Sequence, residues 1–113
     1  MSDLDVNINS DALFAMQDLL QDQFLPTLEF CLTEFDRLQA DLERDFDVNT
    51  TDAIRHAHSL KSNAAQFGAD SLAQLAKELE HALGQGDMTL SQSLREALPA
   101  HISATKEAIN KVI

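Results

Sequence analysis

The residues best placed to do chemistry lie in one run: His58, Ser59, Leu60, Lys61, Ser62, Asn63, Ala64, Ala65, Gln66, Phe67, Gly68, Ala69 and Asp70. A neutral imidazole near pH 7 is a competent nucleophile, and a lysine one helical turn onward can offset negative charge on a group attached to it. Whether His58 is available depends on its helical phase. At about 100° of rotation per residue, His58 points roughly 140° away from the centre of the stripe Ala53, Ala57, Leu60, Ala64 and Phe67. It therefore faces outward. Thr51, Arg55, Lys61, Ser62 and Ala65 share its face; three are small and two are basic, which leaves the ring open to another protein's surface.

The elements that must hold this face are helical nearly throughout. Phe24, Leu28, Cys31, Phe35, Leu38 and Leu42 recur at alternating steps of four and three, the pattern of a long core helix. Ser10 is positioned to cap a shorter leading segment with Leu13, Phe14, Leu19 and Leu20 facing inward, and Pro26 lies near the start of the long helix, where proline is tolerated. Asn49, Thr50, Thr51 and Asp52 offer N-caps for the helix of His58, and Gly68 supplies the left-handed residue that ends it. Asp70 or Ser71 can cap the next helix, whose apolar face is Leu72, Leu75, Leu79 and Leu83 before Gly84 and Gly86. So short a connection forces antiparallel packing. Thr89 and Gln92 have capping-box spacing, and Leu94, Leu98, Ile102, Ile109 and Val112 continue a stripe that Pro99 should kink or divide. There is no strand alternation, internal repeat or glycine-rich phosphate loop. The pattern predicts an all-α fold, an antiparallel up-down four-helix bundle with a short leading N-terminal helix, as one domain over residues 1–113.

The segment from Ala57 to Glu80 resembles the signature of histidine-containing phosphotransfer (HPt) domains, in which alanine, histidine, any residue, leucine and lysine precede small residues and a glycine turn. Here these are Ala57, His58, Leu60, Lys61, Ser62 and Gly68, followed by Ala69, Leu72, Leu75, Leu79 and Glu80. The resemblance implies that His58 is phosphorylated by a receiver-domain aspartate and passes the group to a second one, in two-component signalling. It implies that Lys61 offsets the phosphoryl charge and that Glu80, at a position where the family often has glutamate or glutamine, holds the other ring nitrogen. It implies as partners the receiver domains of a hybrid sensor kinase and of a response regulator, with Mg2+ on the receiver and no cofactor bound by this chain. The family usually has glycine where Ser62 stands, so an altered partner fit is expected. Arg55, Ser62, Asn63, Ala65 and Gln66 are assigned to docking.

Other readings are weaker. Glu78 and His81 have the Glu-x-x-His spacing of di-iron bundles, but no second copy exists. His56 and His58 splay by about 200° around a helix and cannot chelate one ion. Cys31 falls on a core stripe, which favours packing over nucleophilic catalysis. Nothing resembles a nucleotide-binding loop, so the chain is not expected to phosphorylate itself, and whether to class it as an enzyme is a matter of convention. The alternatives are a phosphoacceptor domain of a larger chemotaxis-type kinase and a helical adaptor without chemistry. The initial methionine and the lack of adjoining kinase sequence favour a free-standing relay protein.

Composition sets the outer bounds. With 113 residues, 44% of them hydrophobic, the chain can bury a core unaided. Nineteen acidic against eight basic residues give a net charge of −11, which repels nucleic acid and anionic lipid. One cysteine permits no internal disulfide. Met1, Ser2, Asp3, Leu4 and Asp5 carry no basic start to a secretory signal, and no stretch approaches the roughly 18 apolar residues of a membrane span. A cytoplasmic, soluble monomer is expected.

Overall fold

The computed structural model describes residues 6–113; the first five, read above as lacking a secretory signal, lie outside them. Five α-helices follow in order: α1 (Ser10–Leu20), α2 (Phe24–Asp45), α3 (Thr50–Gln66), α4 (Asp70–Gly84) and α5 (Met88–Val112), with a single 3-10 turn at Gln21–Gln23 joining α1 to α2. The four longer helices form the bundle: α3 packs between α2 and α4, α5 packs on α4, and an α2–α5 contact closes the ring.

The apolar stripes of α2, α3 and α4 are buried as their spacing requires: Phe24, Leu28, Cys31, Phe35, Leu38 and Leu42; Ala53, Ala57, Leu60 and Ala64; Leu72, Leu75, Leu79 and Leu83. The side chains gather into two clusters. The larger contains Phe24, Phe35, Leu60, Leu72 and Leu98, and the smaller, at the α2–α3 turn, contains Leu42, Phe46, Ala53, Ala57, Leu79 and Leu83. Alanine at 53, 57 and 64 lets α3 sit close to its neighbours, so its backbone is held firmly while its opposite face stays bare.

Gly68 ends α3 with φ 77°. The Ala69 N–H donates to the Ala64 carbonyl at 2.8 Å and the Gly68 N–H to the Ala65 carbonyl at 3.2 Å, the paired bonds of a Schellman motif. A side chain at 68 would collide with the Asn9 carbonyl oxygen, so glycine is required for space as well as for backbone conformation. The segment ahead of α1 runs against this turn: the Asn9 N–H donates to the Gly68 carbonyl at 2.7 Å, and Ile8 and Ala69 form an isolated β-bridge.

Several local expectations are corrected. α1 is capped by Asn9, not Ser10, its side chain accepting from the Ala12 N–H at 3.1 Å. Only Leu13 of α1 is buried; Met16 and Leu20 are partly so, whereas Phe14 and Leu19 are exposed, because this short helix touches the bundle along one narrow line. Neither Asp70 nor Ser71 caps α4: Asp70 is already helical, and the Ser71 hydroxyl instead accepts from the Asn7 N–H at 2.7 Å. The Thr89–Gln92 capping box does not form. A second Schellman turn at Gly86 leaves Asp87 with an extended ψ of 85°, and its carboxylate takes the Leu90 N–H. Pro99 does not divide α5. It lies on the exposed side of the helix, where its ring meets solvent and not a neighbouring helix.

Candidate functional site

His58 lies in the middle of α3, opposite the buried face, and its side chain is 57% exposed. Its Nδ1 lies 2.9 Å from Oε2 of Glu80, on α4, and Oε1 of the same carboxylate accepts from Lys61 Nζ at 2.8 Å. One carboxylate thus receives two donors from successive turns of α3. The Glu80 carboxyl is held below the ordinary glutamate range, chiefly by the hydrogen bond from Lys61 and next by that from His58, against an opposing effect of burial.

An ionised carboxylate only accepts, so the proton of the neutral ring must sit on Nδ1. The lone pair of the other nitrogen, Nε2, is then available on the exposed side of the ring. Glu80 fixes the tautomer and the ring's orientation, and Lys61 completes a triad that joins α3 to α4. The Ser62 hydroxyl does not enter the triad; it donates to the His58 carbonyl at 3.2 Å.

The residues assigned to docking separate. Arg55, Ser62, Ala65 and Gln66 are exposed, the first paired with Asp52. Asn63 is half-buried, and its backbone carbonyl accepts a weak bond from Cys31 Sγ at 3.6 Å. Burial, with a further contribution from Glu34, pushes the Cys31 thiol up to about 12, which suits packing and not nucleophilic attack.

A groove of about 650 Å3 opens beside the triad, lined among others by Ile54, Lys61, Lys77, Glu80, His81 and Leu90. His58 is not in it. The imidazole is exposed outside this groove, where a partner that brings its own pocket can reach it. Among the described residues no group of three or more His, Cys, Asp or Glu could hold a metal ion, and no helix is long and apolar enough to cross a membrane.

Sequence reasoning missed a second histidine–carboxylate pair. His56 Nε2 lies 2.8 Å from Asp45 Oδ2, and both groups are largely buried at the α2–α3 turn. Hydrogen bonds from Arg44 and then His56 lower the Asp45 carboxyl to about 2. The signal was present in the phase of His56, which turns it toward α2, but its partner lies on another helix.

The bundle and its exposed histidine define a class. The family model of the Hpt domain matches residues 13–108, and the chain belongs to this family of histidine phosphotransfer domains, which interact with receiver domains in phosphorelays. The fold is similar to that of the crystal structure of histidine-containing phosphotransfer protein B (HptB) from Pseudomonas aeruginosa, with a TM-score of 0.86 at 19% sequence identity over 92% of this chain and 91% of that one. No curated protein matches the chain.

Proposed function

We propose that His58 is the phosphorylated residue and that Nε2 takes the phosphoryl group from an aspartyl phosphate of one receiver domain and yields it to the aspartate of another. The observation that carries this reading is the Glu80 clamp on Nδ1, which leaves the exposed nitrogen unprotonated. In the forward step the Nε2–P bond forms as the acyl phosphate P–O bond breaks, and the aspartate carboxylate departs. The ring then bears positive charge, shared through the Nδ1 proton with Glu80. Lys61 is held by the same carboxylate, one turn from the ring, and offsets the charge of the incoming group.

The receiver supplies the acidic pocket and Mg2+, and this chain supplies a nucleophile on a rigid helix. A hybrid sensor kinase and a response regulator are the proposed donor and acceptor, with Arg55, Ser62, Ala65 and Gln66 on the face they cover and Asn63 at its edge. The test is phosphoryl transfer from a labelled receiver: the wild-type protein acquires acid-labile, base-stable phosphate and His58→Gln acquires none. Label retained by His58→Gln ends the assignment.

A further inference from the structure

Two cations flank His58 on α3. Arg55 lies three residues before it and Lys61 three after, so each sits about 60° to one side of the ring. Their circumstances differ. Lys61 is 30% exposed and tied across the interface to Glu80, whereas Arg55 is 70% exposed and, among the described residues, tied only to Asp52, within its own helix. An exposed pair of that kind is weak and easily exchanged.

Asp52 does not depend on Arg55. Its other carboxylate oxygen accepts from Asn49 Nδ2 at 2.8 Å, and it occupies the first turn of α3, where the helix terminus favours negative charge. A phosphoryl group on Nε2 carries more charge than Asp52 and offers several oxygens to a planar guanidinium.

Resting on the reading of His58 as the phosphorylated residue, we propose that Arg55 is a phosphoryl-binding residue, released from Asp52 when His58 is phosphorylated and closing on the phosphoryl oxygens from the side opposite Lys61. Asp52 is its resting partner and competes with the phosphoryl group for it. Arg55 thereby favours the phosphorylated form of this chain over that of its donor.

The test uses phosphoramidate as donor, which removes receiver docking from the readout: its P–N bond breaks, the Nε2–P bond forms and ammonia leaves. The equilibrium ratio of phosphorylated to free protein is read by 31P NMR. Arg55→Ala is expected to lower that ratio by about fivefold and Arg55→Lys by less, the size of one exposed charge-assisted contact. Asp52→Asn is expected to raise it by about twofold, and Asp52→Asn with Arg55→Ala should match Arg55→Ala alone. An unchanged ratio in Arg55→Ala, or a fall in Asp52→Asn, overturns the proposal while leaving His58 in place. Failure of the wild type to take phosphate at all, or equal uptake by His58→Gln, removes the parent reading instead.

Discussion

His56 and His58 stand two residues apart on one helix, and each has a carboxylate within hydrogen-bond distance, yet they are set up for opposite purposes. The His56 side chain is 17% exposed and its partner Asp45 14%, so the pair fastens the end of α2 to α3. The His58 side chain is 57% exposed, and its partner engages one nitrogen only, leaving the other toward solvent. The same two functional groups make a staple on one side of α3 and, in the proposed function, a nucleophile on the other. What separates them is rotation of about 200° around the helix.

The largest effect expected from breaking this contrast is on phosphoryl acceptance. Loss should be complete in His58→Gln, whereas His56→Gln should retain transfer within about twofold, since its ring touches nothing that reacts. Transfer assayed side by side from one labelled receiver checks both, and equal losses would erase the distinction. Next in size, Glu80→Ala frees the His58 ring to adopt either tautomer, and we expect transfer slower by about tenfold with little change in thermal stability. Asp45→Ala should show the reverse: normal transfer, and a lower midpoint in denaturant titration, because the largely buried His56 is left without its partner.

The smallest effect concerns pH. The Asp45 carboxyl lies at about 2, below the ordinary value of about 3.9. Its contribution to stability is therefore complete above about pH 4 and is lost as pH falls toward 2. A carboxyl-detected NMR titration should place Asp45 there, and Arg44→Ala should raise it more than His56→Gln does, since Arg44 is the larger cause. Glu80 is shifted in the same direction through Lys61, so the His58 clamp also persists through the neutral range and gives way only in acid.

Much of this was legible in the chain. Phe24 through Leu42, Ala53 through Phe67 and Leu72 through Leu83 are buried where the period of 3.6 puts them, because burial on a bundle helix follows directly from which side faces its neighbours. The exposure of His58 follows from the same phase. The helix ends were less legible. Asn9 and Asp87 cap where Ser10 and Thr89 were expected, because the choice among adjacent polar residues depends on the path of the preceding chain, and at Asp87 that path is set by the Gly86 turn. Phe14 and Leu19 face water because a short helix on the edge of a bundle has one line of contact, and a count of apolar residues does not reveal which line it is.

The sequence by itself determined that there are long amphipathic helices, that Gly68 ends one of them and that His58 lies on the polar side. Each of these depends on residues near one another in the chain. Tertiary structure alone decided that Glu80 reaches both Nδ1 of His58 and Nζ of Lys61, and that His56 is claimed by Asp45. Those partners are 22, 19 and 11 residues apart along the chain. Periodicity orients a side chain about its own helix axis, but the sliding and spacing of one helix against the next are set by the packing of Ala53, Ala57, Leu60 and Leu79 in the interior.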